Sequence, residues 1–153
     1  MINTTNLIRP ILIAEDDPED RMLTVDALQE SQICKPYLFV EDGEDLIHYL
    51  KHEGKYEDAI AHPTPGIIIL DLNMPRKDGR EALVEIKSDP ILRSIPIIIL
   101  TTSRSEEDIR KSYDLGVNSY ISKPNDFRGL VEIMNSISTY WFDIVTLPKD
   151  QKS

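Results

Sequence analysis

The sequence predicts an α/β domain in which a doubly wound, five-stranded parallel sheet is covered by helices on both faces. Three observations carry this. Short apolar runs recur five times along the 153 residues, a segment with helical character follows each, and the most apolar run, Gly-Ile-Ile-Ile-Leu-Asp at 66–71, ends abruptly on a carboxylate. Continuous β-branched runs are usual for strands buried on both sides, and strict strand-helix alternation implies parallel pairing with right-handed crossovers.

In chain order, residues 10–14 form the first expected strand, closed by Glu15, Asp16 and Asp17. Asp17-Pro18 suits a helix start, with an acidic cap, proline at the first helical position and acids in the first turn. That helix should reach about Glu30 and bury Met22, Val25 and Leu28. Residues 36–40 read as the second strand, and Leu46, Ile47 and Leu50 mark the second helix. The proline-rich and polar stretch from 52 to 65 reads as a surface loop. After the third strand, Ala82, Leu83 and Ile86 mark a helix ended by Ser88-Asp89-Pro90. The fourth strand, 95–100, runs into Thr101, and Ser105-Glu106-Glu107-Asp108 resembles a capping box for a helix carrying Ile109 and Tyr113 and stopped by Gly116. Residues 117–122 are short and partly polar, as an edge strand should be, and lead to Lys123-Pro124. Asn125-Asp126 caps a last helix whose stripe is Phe127, Leu130, Ile133, Met134, Ile137, Trp141 and Ile144, with Trp141 and Ile144 expected in the core. Val131 and Phe142 fall outside that stripe and are expected on a partner surface.

Composition narrows the function. A net charge of −10 opposes a nucleic-acid partner, since such a surface repels a phosphate backbone. No apolar run approaches a membrane span and residues 1–5 lack signal-peptide character, so the cytoplasm is expected and a membrane is not. The single cysteine, Cys34, rules out an internal disulfide framework and reads as a small apolar residue. His48 and His52 have i, i+4 spacing but no accompanying glutamate, and read as a solvated helix face rather than a zinc site.

Parallel alternation sends strands one, three, four and five to one edge of the sheet, where open α/β folds bind ligands. Glu15, Asp16, Asp71, Thr101 and Lys123 therefore converge. Three close carboxylates repel one another, which calls for a hard, oxygen-seeking cation, best met by Mg²⁺. Lys123 offers a fixed positive charge and Thr101 a hydroxyl donor. The set suits a phosphoryl group, with Asp71 as a carboxylate nucleophile forming an acyl phosphate.

Four blocks carry a resemblance: Ile-Leu-Ile-Ala-Glu-Asp-Asp-Pro at 11–18, Ile-Ile-Leu-Asp-Leu-Asn-Met-Pro-x-x-Asp-Gly at 68–79, Ile-Ile-Leu-Thr-Thr at 98–102 and Tyr-Ile-Ser-Lys-Pro at 120–124. Together they resemble the signature of the two-component response regulator receiver domain, CheY-like in type. The resemblance implies a (βα)5 flavodoxin-like fold with strand order 2-1-3-4-5 over residues 7–147, a disordered tail at 148–153 and no output domain. It implies Asp71 as phospho-acceptor, and a metal held by Asp16, Asp71, the backbone carbonyl of Asn73 and, through water, Glu15. Mg²⁺ is the implied ion, with Mn²⁺ or Ca²⁺ as substitutes. Thr101 and Lys123 would hold phosphoryl oxygens, Tyr120 would follow the Thr101 shift, and Lys123-Pro124 would be a cis peptide.

The long loop before the third strand and the extended last helix are similar to the small response regulators of cyanobacterial and bacterial phytochrome systems. That likeness implies a phytochrome-type sensor histidine kinase as partner and a homodimer through the last helix, with Val131 and Phe142 on its surface. The module would signal through a change at the face of its fourth helix, fifth strand and fifth helix, and is not itself an enzyme beyond slow dephosphorylation. Two other readings remain open on the residues: a phosphorylation-independent docking module, and a phosphohydrolase of the haloacid dehalogenase kind. The second needs an aspartate two residues after the nucleophile, where this chain has Asn73.

Overall fold

The computed structural model describes residues 9–31 and 36–148. Five parallel strands, β1 (Ile11–Ala14), β2 (Tyr37–Val40), β3 (Ile67–Leu70), β4 (Ile97–Thr101) and β5 (Ser119–Ser122), lie in the order β2-β1-β3-β4-β5. Five helices alternate with them: α1 (Pro18–Glu30), α2 (Gly43–Lys51), α3 (Gly79–Ser88), α4 (Glu106–Leu115) and α5 (Phe127–Ser138). The three central strands are buried along their whole length and the two edge strands are not.

Strand residues alternate between two core layers. Leu12, Ile68, Leu70, Ile97 and Ile99 pack against Leu46, Leu50, Leu83 and Ile86 of α2 and α3, while Ile11, Ile13, Ile69, Ile98 and Leu100 face Ala27 and Leu28 of α1 and Val131, Met134 and Ile137 of α5. Every helix begins on a side-chain cap: Asp17, Asp42, Asp78, Ser105 and Asp126 accept from the backbone amides of Glu19, Asp45, Glu81, Asp108 and Gly129. Each such cap stabilises a helix by about 1 kcal/mol. Since every helix starts just beyond a strand's carboxyl end, the same acids line the edge of the sheet that holds the site. Among the described residues no helix is long and apolar enough to cross a membrane.

The helix faces depart from the periodicity in instructive ways. In α1 the buried residues are Thr24, Ala27 and Leu28, whereas Met22 is 67% exposed. In α5, Val131 is not on a partner surface but 5% exposed, in the core with Met134 and Ile137. The cause is that α5 packs against both the sheet and α1, so its buried face is wider and rotated relative to the narrow stripe. Beyond Ser138 the winding changes to a π-helical turn, Thr139–Ile144, closed by the bond from the Val145 amide to the Tyr140 carbonyl (2.9 Å). A wider turn breaks the 3.6-residue phase: Trp141 and Phe142 are half-buried against the second layer, and Ile144, expected in the core, is 66% exposed.

The segment from 52 to 65 is not a simple surface loop. A 3-10 turn, Gly54–Tyr56, folds Tyr56 inward against Tyr49 and His62. The Tyr49 hydroxyl donates to the Pro63 carbonyl (2.8 Å) and Tyr56 to Asp45 Oδ1 (2.8 Å), so two amphipathic rings anchor a stretch too polar to pack otherwise. His48 stays exposed on α2, but His52 ends that helix with a left-handed φ of 56° and pairs through Nε2 with the His62 carbonyl. The Lys123–Pro124 bond is trans, and no peptide among the described residues is cis; trans is the lower-energy form of an X–Pro bond by about 0.5–1 kcal/mol. Cys34, residues 1–5 and the expected tail from 149 onward lie outside the described residues, while Pro148 is tied back by Arg9 Nη2 to its carbonyl.

Val131→Ala should lower the free energy of unfolding in a urea titration by about 2 kcal/mol, the scale of removing buried methyl groups. A loss within about 0.5 kcal/mol would return Val131 to the surface.

Candidate functional site

Backbone bonds extend the sheet by one residue at the site, which fixes the side chains that follow each strand. The Glu15 amide donates to the Val40 carbonyl, Asp71 to Ala14 and Lys123 to Thr101. Asp71 is buried, with Oδ1 accepting from Thr101 Oγ1 (2.8 Å) and from the Asn73 amide (3.1 Å). Its Oδ2 faces the Lys123 ammonium at 3.0 Å. That ammonium also donates to Glu15 Oε1 (2.6 Å) and Asp20 Oδ2 (3.0 Å). The residues expected at the strand ends thus meet, with Asp20 joining them.

The loop after β3 turns back tightly on Asp71. A Cβ on Gly79 would collide with the Asp71 carbonyl oxygen, so only glycine fits there. Asn73 sits exposed on this loop, with its side-chain oxygen turned toward Arg80 (3.4 Å to Nη2). Tyr120 is half-buried on β5, and its hydroxyl donates to the Ser103 carbonyl (3.0 Å) in the loop after β4. A groove of about 150 Å³ opens beside Asp71 and Lys123 between α1 and α5, walled by Leu23 and Leu130.

Carboxylate oxygens of Glu15, Asp16 and Asp71 lie within 4.8 Å of one another, the spacing of ligands that share a metal ion. Burial is the largest influence on Glu15 and pushes its carboxyl up to about 7, although the Lys123 hydrogen bond and charge pull the other way. Burial likewise opposes charge on Lys123, but Glu15 and Asp71 outweigh it and hold the amine protonated well above the ordinary lysine range. Four acids against one ammonium leave the site short of positive charge. A donor set of carboxylate oxygens fits a hard divalent cation and no soft one.

Periodicity did not assign Asp20 to the site. Its position is legible in retrospect, since it lies four residues after Asp16 and one helical turn brings it over the same strand end. Arg80 and Asp108, which meet across α3 and α4 at 2.7 Å, carried no signal, because nothing in sequence ties residues 28 positions apart.

Residues 11–135 match the model of the response regulator receiver domain. The chain belongs to that family. It is 39% identical over 148 residues to the response regulator Rcp1 of Synechocystis sp., covering 97% of this chain and 99% of that protein. The structure of the phosphorylated cyanobacterial phytochrome response regulator RcpA is 43% identical and superposes with a TM-score of 0.85, covering 93% of this chain and 99% of that one. The Mn²⁺-bound form of Rcp1 is 40% identical with a TM-score of 0.82, covering 92% of this chain and 99% of that one. A receiver is a phosphoryl acceptor of two-component signalling rather than a metabolic enzyme, so the phosphohydrolase reading falls. Among the described residues, Glu15, Asp16 and Asp71 form a group whose spacing could hold a metal ion.

The folded protein holds a proton on Glu15 between about pH 4.5 and 7 that the unfolded chain has released. Its contribution to stability is therefore full below the lower value and lost as pH rises through the upper one. Without divalent cation, Tm should fall across that window, and added Mn²⁺ should restore more of it at pH 8 than at pH 6. Glu15→Gln should flatten both trends; a wild-type cation effect independent of pH would contradict the assignment.

Proposed function

We propose that this receiver takes a phosphoryl group on Asp71 from a phytochrome-type sensor histidine kinase in the cytoplasm, using Mg²⁺, and passes the signal on through the face formed by α4, β5 and α5. The observation that carries the reading is the position of Asp71, a buried carboxylate held on one oxygen by Thr101 and on the other by Lys123.

Asp16, Asp71 and the Asn73 backbone carbonyl would hold the ion, with Glu15 acting through water; Mn²⁺ or Ca²⁺ would substitute. When bound, it neutralises phosphate oxygens and so lowers the repulsion between donor and acceptor. The remaining work belongs to the chain. Thr101 and the Asn73 amide orient the Asp71 carboxylate before reaction. The carboxylate attacks phosphorus as the bond to the kinase imidazole breaks, and Lys123 moves its charge from Asp71 to a phosphoryl oxygen. The adjacent groove gives the incoming group room once the ammonium shifts.

The Thr101 hydroxyl turns from Asp71 to the phosphoryl group in the same event. Tyr120, already bonded to the loop after β4, follows that loop and carries the change to the surface of α4 and β5. The likeness to phytochrome response regulators supports the choice of kinase. A homodimer on the C-terminal face fits the exposed Tyr140 and Ile144 beside half-buried Phe142.

With acetyl phosphate and Mg²⁺, the wild type should gain the mass of one phosphate and Asp71→Asn none. No gain on either would favour a phosphorylation-independent docking module. Autophosphorylated phytochrome-type kinases should label the wild type faster than kinases of other sensor classes. Sedimentation at high micromolar concentration should show a dimer that Ile144→Asp disperses, and a monomer under all conditions would end that part of the reading.

A further inference from the structure

We infer that the Arg80–Asp108 pair is a clasp across the mouth of the acceptor site, a positioning device that holds the loops after β3 and β4 together and lengthens the life of the phosphoryl group. This rests on Asp71 being the acceptor.

The hydrogen bonds form a closed ring that starts and ends on Asp71. Thr101 Oγ1 donates to Asp71 Oδ1, and the Ser103 amide reaches Thr101 Oγ1 at 3.4 Å. Ser103 Oγ donates to Asp108 Oδ2 at 2.6 Å. Arg80 grips both oxygens of Asp108, Nε to Oδ1 and Nη2 to Oδ2, each at 2.7 Å. The same guanidinium reaches Asn73 Oδ1 (3.4 Å) and the Leu72 carbonyl (3.4 Å), and the Asn73 amide returns to Asp71 Oδ1 at 3.1 Å. The short, two-pronged grip on Asp108 is the strong part of the ring; the 3.4 Å contacts are weak and depend on it.

Most exposed ion pairs contribute little, but forked geometry within a network is the exception. Asp108 is largely covered, and the Arg80 hydrogen bond holds its carboxyl down to about 2, so the clasp stays charged at any physiological pH. Its chemical consequence lies in hydrolysis. A water oxygen must form a bond to phosphorus as the bond from phosphorus to the Asp71 oxygen breaks. The electron pair returns to the carboxylate, and the proton of the water leaves with inorganic phosphate. While the clasp is closed, the Ser103 hydroxyl is committed to Asp108 and the Asn73 side-chain oxygen to Arg80. Neither polar group is then free to orient that water, and the two loops cannot part to admit it.

The test follows decay of the phosphorylated full-length chain after removal of acetyl phosphate, in constant Mg²⁺. Arg80→Ala and Asp108→Asn should each shorten the lifetime on the order of tenfold, the scale of losing a charged hydrogen bond. The double variant should decay no faster than either single one, and Arg80→Lys should recover part of the lifetime. The exposed Glu107–Lys111 pair on the same helix is the control, and Glu107→Ala/Lys111→Ala should leave decay unchanged. Amide exchange of the unphosphorylated protein supplies a second readout: Arg80→Ala should speed exchange in both loops, 72–78 and 102–105, together. Wild-type lifetimes in Arg80→Ala and Asp108→Asn would overturn the clasp while leaving the acceptor reading intact, as would equal shortening in the control. Absence of phosphate uptake by the wild type would instead remove the acceptor and the lifetime claim with it, and the exchange data would then report only whether the pair joins the loops.

Discussion

The Lys123 ammonium sits among three carboxylates at the carboxyl edge of the sheet, within 3.0 Å of Glu15, Asp20 and Asp71. Two of those acids are buried, and an uncompensated buried charge costs several kcal/mol. The lysine therefore does for the resting protein part of what a cation and a phosphoryl group would do under the proposed function. It satisfies Asp71 without spending it, because in the proposed reaction an ammonium on a flexible stem moves to a phosphoryl oxygen, where a rigid guanidinium fork could not follow as readily. The site is stable enough to fold and still short of positive charge, which fits the divalent ion proposed for it.

The rest of the fold serves to bring these groups to one place. Lys123 and Glu15 are 108 residues apart and meet because the order β2-β1-β3-β4-β5 puts β1 and β4 on either side of β3, with β5 beyond β4. Parallel pairing makes all the strands end at the same edge, and the two apolar layers pin the register so that Leu70 lies beside both Ala14 and Ile99. A one-residue slip would exchange the two faces of a strand and is excluded by the core itself. Around this rigid floor the loops differ in purpose. The one after β3 is clamped on Asp71 through Gly79, while the one after β4 is held by the side chains of Tyr120 and Asp108.

How much was legible beforehand depended on the range of the interaction that fixes each feature. Ile67–Leu70 and Ile97–Thr101 are buried on both faces, so local composition announces them. Helix starts are local too, since a cap and the amide it satisfies lie two or three residues apart. The buried face of α5 is another matter. It is chosen by contact with α1 and the sheet at once, and a wheel drawn for one contact left Val131 outside. Past Ser138 the helical period itself changes, so extrapolating it misplaced Ile144. Tyr49, Tyr56 and His62 look like scattered residues around a polar loop until the loop closes and brings their rings together, tilted and edge to face.

The sequence by itself determined the order of strands and helices, the family, and the acids, hydroxyl and amine at the strand ends, because each is written in short patterns whose physics is local. Only the tertiary structure decided that Asp20 shares Lys123, that Arg80 and Asp108 bridge the two loops, and that Val131 belongs to the core. Those outcomes depend on side chains distant in sequence competing for the same space and the same proton donors, a competition that exists only once the chain has closed on itself.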